Sequence, residues 1–351
     1  MQPLRVKLLA KNSGKNAPQR LLRMLPKNST RVGKCEFRFN RDARDYDWLV
    51  ILDEIPKDGK YAQEVLNCHP ANTLLITLEP PTIKLYDEDY LKQFGHVLSS
   101  HDPVYLRHPH HLHRQCGFPW FYGKPLSEIH NAPLPKKSKS ISTVCSDKKQ
   151  RHTFHHQRNT FTKQLQKILP SIDRYGHGVQ PIKNKYDALD SYAYHLAIEN
   201  HLATHHWTEK LADAFLGGCF PFYCGAPNVF DYFPEDSLML IDIRQPEIAI
   251  EKILSTISDK AHYANATSAI LEARHLVIEQ YSLFPMLAKT LPALHTSENA
   301  PKNTQYRIVG RHQWRRENLI VSAKNRLKTI KQQRLANKDS DQINFHTQKI
   351  W

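Results

Sequence analysis

The run Tyr194 to Gly225, YHLAIENHLATHHWTEKLADAFLGGCFPFYCG, holds the side chains whose types and spacing best suit chemistry. It reads as a strand, a polar loop, a helix opening at Thr208 and a second strand. Threonine is a good N-cap because its hydroxyl accepts from a first-turn N–H that has no partner within the helix. Gly217 and Gly218 mark the other end, where a helix commonly stops in left-handed backbone. Free N–H groups and the positive end of the dipole make such an N-terminus attractive to a pyrophosphate. Lys210 lies in that first turn, where its charge opposes the dipole, and an anionic ligand in front of the helix would explain it. Glu209 beside it is placed to accept hydrogen bonds from ribose hydroxyls, as acidic residues do in dinucleotide sites. The competing reading is an ordinary acidic and basic first turn on a surface helix.

A site of this kind needs a parallel sheet behind it, and the rest of the chain supplies the pattern. Asp47–Leu52, Asn72–Thr77 and Gly95–Leu98 read as strands, with a helix over Tyr61–Leu66. Pro133 to Ser142, PLPKKSKSIS, reads as a linker. Alternation then restarts with a strand at Ser142–Cys145, a helix at His152–Leu169 and strands at His195–Glu199 and Phe220–Tyr223. Leu238–Ile243 adds a strand, Pro246–Ile257 a helix, and Ala261–Leu291 one long or broken helical region. The expected architecture is α/β with two Rossmann-like domains, residues 1–138 and 139–300, and a basic helical C-terminal tail over 301–351.

Glu199 and Asn200, followed after a polar loop by Thr208, Glu209 and Lys210, resemble the FEN(S)…(Y)VTEK signature of family-10 α-1,3/4-fucosyltransferases. The resemblance continues through Asp213, Ala214, Gly218, Pro221, Tyr223 and Gly225 to PNVFDYFP, Pro227 to Pro234, and spans about Asp45 to Leu254. It implies a GT-B fold whose two domains face a cleft, GDP-fucose bound by the C-terminal domain, and inversion without an essential metal. Val144 to Leu165 resembles the family's strand, loop and helix, with Arg158 the matched phosphate-binding arginine and Ser146 lining the same crevice. A guanidinium suits phosphate because its planar fork binds two oxygens and never loses its charge. Asn200 and His206 complete the implied donor set; His206 and Trp207 stand where many members have Tyr-Val, and a histidine there can hydrogen-bond or stack. In the N-terminal domain, Glu79 in LITLEPPTIK resembles the family's glutamate segment and is the expected base for the acceptor hydroxyl. Its competing role is to cap the turn at Pro80 and Pro81.

Composition narrows the alternatives. The chain has 351 residues, 40% of them hydrophobic, which is ample for two packed domains. Six cysteines lie scattered without a CxxC pair or a secretory signal, which fits a reducing cytoplasm. No stretch reaches the ~20 apolar residues of a membrane span. Of the formal +15 charge, +9 follows Pro301, 12 Lys and Arg against 3 acidic residues. This clustering, with no stacking or groove-reading motif, argues against a nucleic-acid partner. Trp314, Leu319, Ile320, Leu327 and Ile330 give the same segment a ragged apolar face. That combination suits docking on an anionic membrane surface, at its inner face; a solvated helix or disordered tail fits equally. The histidines at 108, 110, 111 and 113 lack partners at metal-ligand spacing, and Asp45/Asp47 and Asp87/Asp89 read as solvated turn residues. Cys219 and Cys224 read as packing residues. The expected partners are therefore GDP-fucose and a glycan acceptor, with a GT-B enzyme for another nucleotide sugar as the nearest alternative. No pattern encodes the acceptor.

Overall fold

The structure is a computed structural model that describes residues 2–10, 19–27, 29–57, 62–147, 154–298, 306–343 and 345. Its strands are β1 (Leu4–Ala10), β2 (Arg31–Val32), β3 (Cys35–Arg38), β4 (Trp48–Leu52), β5 (Gln63–Val65), β6 (Thr73–Ile76), β7 (His96–Ser99), β8 (His111–His113), β9 (Lys139–Val144), β10 (Asp173–Tyr175), β11 (Tyr192–Ile198), β12 (Phe220–Cys224), β13 (Met239–Leu240) and β14 (Arg307–Val309). The longer helices are α1 (His155–Ile168), α2 (Glu209–Leu216), α3 (Pro246–Ser258), α4 (His262–Leu276), α5 (Leu283–Leu294), α6 (Arg311–Glu317) and α7 (Leu319–Gln342). The chain divides into two compact units, Met1–Phe118 with Leu283–Lys338, and Pro119–Ser282 with Asp339–Trp351.

The first unit is built on a seven-stranded sheet of order β2-β3-β1-β4-β6-β7-β8. Neighbours are parallel except β2 and β3. WLVIL in β4 and TLLI in β6 are buried along their whole length, as strands covered on both faces must be. Lys7 is the exception, a fully buried cation in mid-β1 whose Nζ lies 2.7 Å from Glu64 Oε1 and 3.0 Å from the Ala43 carbonyl. Burial pulls its pKa down, and Glu64 opposes the pull.

Two expectations for this unit need correction. The segment read as a helix over 61–66 contains β5, which pairs antiparallel with β14, 242 residues further along at Arg307↔Val65. Nor is the segment after 306 an appended tail. Ile308, Val309 and Trp314 are buried in one core with Tyr86, Tyr90 and Phe94, and the Trp314 ring lies edge-on to Tyr90 at 6.1 Å. As far as Lys338 the segment is therefore a strand and helices that complete the first unit.

The second unit has a wholly parallel five-stranded sheet of order β10-β9-β11-β12-β13. Both units are thus Rossmann-like, as the alternation of apolar strands and helices implied. The unit begins at Pro119, and the expected linker runs into β9 from Lys139. The long helical region breaks into α4, a wide π-type turn over Val277–Tyr281, and α5, with the unit boundary after Ser282. In chain order the first strand, β9, sits between the second, β10, and the third, β11. Winding therefore reverses between β9 and β11, and in open α/β sheets ligands gather beyond the carboxyl ends at such a switch point.

Candidate active site

Glu199 is the first residue past β11 at that switch point, and its side chain is fully buried. It accepts from Thr208 N at 2.8 Å and from Thr208 Oγ1 at 2.9 and 2.8 Å. Thr208 in turn caps α2, its hydroxyl oxygen accepting from Lys210 N at 3.4 Å. Lys210 Nζ completes the arrangement, 3.1 Å from Glu199 Oε2 and 3.2 Å from Glu209 Oε1. A buried carboxylate is tolerable only when paired and hydrogen-bonded, and Glu199 is both. Burial works against both charges of the Glu209–Lys210 pair. The neighbouring cations Lys210 and Lys185 nevertheless hold Glu209 down at about 2, while Glu199 and Glu209 raise Lys210. The lysine that opposes the helix dipole thus has two internal carboxylates as partners.

Arg158, on α1, reaches the same place from the other side of the switch point. Its Nη1 donates to Asn200 Oδ1 and its Nη2 to the Val144 carbonyl at the end of β9, at 3.5 Å. The guanidinium is buried, and its Nε has no hydrogen-bond partner among the described residues. A buried guanidinium N–H with nothing to bond is costly unless something is there to accept it. Arg158, Asn200, Glu209 and Lys210 are thereby brought together, and Ser146 lies half-buried just beyond β9. The four charges of Glu199, Glu209, Arg158 and Lys210 sum to zero.

The loop between β11 and α2 is held by the PNVFDYFP segment. His205 adopts the left-handed region at φ 64°, its N–H donates to Asn228 Oδ1 at 2.8 Å, and its Nδ1 lies 2.6 Å from Tyr232 Oη. Asn228 Nδ2 donates to Asp231 at 2.9 Å. His206 is buried and edge-on to His201, with ring centroids 5.5 Å apart. Trp207 is 1% exposed and packs on Phe233, Tyr232 and Tyr281, so it anchors the loop to the core. Gly225 follows β12, where an added Cβ would stand 2.0 Å from Tyr223 Oη and 2.6 Å from Glu199 Cγ. Only glycine fits against the buried glutamate.

Deeper in α2, Asp213 accepts from Phe121 N at 3.0 Å and from Lys185 Nζ at 2.8 Å. Burial lifts its carboxyl to about 6 against the pull of Lys185.

Residues 134–268 match glycosyltransferase family 10 (fucosyltransferase) C-term. The match lies wholly within the second unit. The matched stretch contains β9, β11, α2 and every residue of the cluster above. Among solved structures, the chain is similar to an α1,3-fucosyltransferase with GDP-fucose at 16% identity, covering 80% of this chain and 93% of that one, with a TM-score of 0.44. It is also similar to the pneumococcal O-GlcNAc transferase GtfA in complex with UDP and GlcNAc, at 11% identity, 70% and 57% coverage and a TM-score of 0.40.

Glu79 lies in the first unit, just past β6. It is exposed, and its backbone carbonyl accepts from His101 Nε2 at 2.8 Å. Burial drops His101 to about 4, so the ring is neutral and Nε2–H is the donor. The remaining candidates are structural. Asp45 and Asp47 bind Arg5, and Asp89 pairs with Lys92. Asp87 departs from the solvated reading, being buried 3.2 Å from Arg315 Nε. Cys219 and Cys224 are buried, both pushed up to about 12 by burial. No group of His, Cys, Asp and Glu among the described residues could hold a metal ion.

Glu199 is the site residue to which sequence reasoning gave no role. Its signal was present: an apolar strand running directly into an acid, nine residues before a threonine N-cap.

Proposed function

We propose that the chain transfers fucose from GDP-fucose to a hydroxyl of a glycan acceptor with inversion at the anomeric carbon. The acceptor oxygen attacks that carbon, the bond to the β-phosphate oxygen breaks, the hydroxyl proton passes to Glu79, and GDP leaves with the bonding electrons. The family match over 134–268 carries the reading, and the cluster at the switch point supports it. Arg158, with its unpartnered Nε, and Lys210 face the diphosphate and offset the charge that develops on GDP; Glu209 takes the ribose hydroxyls, and Asn200, His206 and Ser146 complete the pocket. Two fixed cations fill the electrostatic role that a metal has elsewhere, and no metal is required. Since Lys210 already has two carboxylate partners, the diphosphate exchanges with internal ion pairs rather than meeting a bare cation.

The product carries an α-1,3 or α-1,4 linkage, on a surface polysaccharide or glycolipid assembled at the cytoplasmic face of a membrane. The exposed face of α7 favours that location. Leu319 and Ile320 are 70% and 75% exposed, and Lys331, Arg334 and Lys338 share the solvent side with Ile330 and Leu335. No helix among the described residues is long and apolar enough to cross a membrane. Flotation with anionic and with neutral vesicles tests it, and recovery only at the bottom of both gradients removes the membrane reading.

Calorimetric titration with GDP, UDP and GDP-fucose in EDTA tests the donor. Selective GDP binding that Arg158→Ala abolishes is expected. Binding of another nucleotide in place of GDP would keep the fold and sink the fucose assignment.

A further inference from the structure

The last described residues of the chain return to the second unit, at the loop that carries Asn200. Leu202 N donates to Ser340 Oγ at 2.9 Å, a buried hydrogen bond spanning 138 residues. Leu202 and Ser340 are themselves 1% and 6% exposed. What holds Ser340 in place is Arg244, just past β13. Its fork binds both oxygens of Asp242 at 2.8 Å and donates to the carbonyls of Asp341 and Ile343, and its guanidinium lies 5.4 Å from the Phe345 ring centroid. Ile343 and Phe345 pack on the core of the unit that also contains Leu202 and Ile198. Ser340, in the last turn of α7, is thus held by the Arg244 clamp that follows it.

We propose that residues 340–343, with Phe345, form a strap whose function is to set the donor loop, with Ser340 as its positioning residue. The proposal rests on the donor reading of the 199–210 cluster. Leu202 is two residues from Asn200, which is the hydrogen-bond partner of Arg158, so the strap acts on the phosphate-facing guanidinium through one short stretch of backbone. An N–H at this depth has no water to turn to once the serine oxygen is gone. The loop must then shift to find an acceptor, carrying Asn200 with it. The basic, ragged C-terminal segment therefore ends in an element of the donor site, a role its composition does not announce.

The test uses the full chain with Ser340→Ala, Ser340→Thr and Arg244→Lys, measuring GDP affinity and amide exchange across 199–207. Ser340→Ala is expected to weaken GDP binding about tenfold, the equilibrium factor for one unpaired buried donor. It should also speed exchange at Leu202 and its neighbours while leaving β12 protected. Ser340→Thr, which keeps the oxygen, restores both, and Arg244→Lys reproduces the alanine phenotype in part. A folded Ser340→Ala with wild-type GDP affinity overturns the proposal, whatever its exchange. A wild type that ignores GDP while Ser340→Ala still loosens the loop overturns the donor reading and the strap's function with it. That result is distinguishable because the exchange change persists.

Discussion

Lys210 is where the ligand-facing and the internal readings of the site predict opposite things for stability. In the structure its Nζ is 3.1 Å from Glu199 Oε2, in a fully buried carboxylate, and 3.2 Å from Glu209 Oε1. A unit-charge pair at that separation attracts by about 5 kcal/mol at an effective dielectric of about 20. Replacing the lysine by methionine leaves Glu199 buried without its cation, and breaking a buried pair in this way costs about 3–5 kcal/mol. Lys210→Met is therefore expected to lower the melting temperature of the second unit by about 10 °C. Lys210→Met with Glu199→Gln removes the orphaned charge while an amide oxygen still accepts from Thr208, and should recover at least half of the loss. Because the orphaned Glu199 is buried, the deficit should change little between low and high salt. Melts followed by circular dichroism, with GDP titrations on the same samples, decide the matter. Both variants should lose most GDP affinity, and only the single variant should be strongly destabilised. Were Lys210 merely a ligand-facing cation opposing the helix dipole, Lys210→Met would melt at or above the wild type; that outcome refutes the reasoning.

Other perturbations probe the same geometry. Asp213 has a folded-state pKa of about 6 against an ordinary 3.8, so its contribution to stability is complete below 3.8 and is lost as pH rises through about 6. Asp213→Asn should therefore flatten the stability profile across that window by up to about 3 kcal/mol, measured by denaturant unfolding at stepped pH. Glu209 is held at about 2 against 4.5, so its contribution is present above 4.5 and fades as pH falls toward 2; Glu209→Gln should remove that acid-side loss. Gly225→Ala drives a Cβ into Tyr223 Oη and Glu199 Cγ and should abolish GDP binding in a chain that remains folded by near-ultraviolet circular dichroism. Trp207→Ala should cost about 3–5 kcal/mol of stability while Trp207→Phe leaves GDP affinity unchanged, as a core anchor requires. Glu79→Gln should eliminate sugar transfer in a radiolabel assay without altering GDP affinity.

How much of this was legible in the sequence follows from the range of the interactions involved. The α2 cap, its closing glycines and the apolar strands β4, β6, β11 and β12 are local patterns, and all were readable to within a few residues. β1 was not, because Lys7 interrupts its apolar run; what makes a lysine acceptable there is Glu64, 57 residues away. β5 looked helical for the same reason. Only Val65 of its three residues favours a strand, and pairing with β14 decides the element. The C-terminal segment misled by composition. Charge on an exposed face is compatible with burial of Ile308, Val309 and Trp314 on the other, and a net-charge count sees only the first.

The site shows the same division between local and distant cause. Sequence could propose an anion-binding helix end because the N-cap and the lysine are neighbours in the chain. It could not show that the lysine's charge is already matched, since Glu199 reaches it across a loop of eight residues whose course is set by Asn228 and Tyr232 on a different segment. This changes the expected chemistry of binding. A bare cation would hold any diphosphate, whereas a neutral cluster gains from one only if Lys210 gives up its internal carboxylates as the new anion arrives. On the proposed donor reading, the internal carboxylates weaken binding of any anion that cannot also engage the unpartnered Arg158 Nε, and they return Lys210 to a paired state once a bound nucleotide leaves. Selectivity and product release would then both be properties of Glu199. Glu199→Gln should tighten GDP binding while slowing its dissociation, and faster dissociation in a stopped-flow displacement assay would contradict that account.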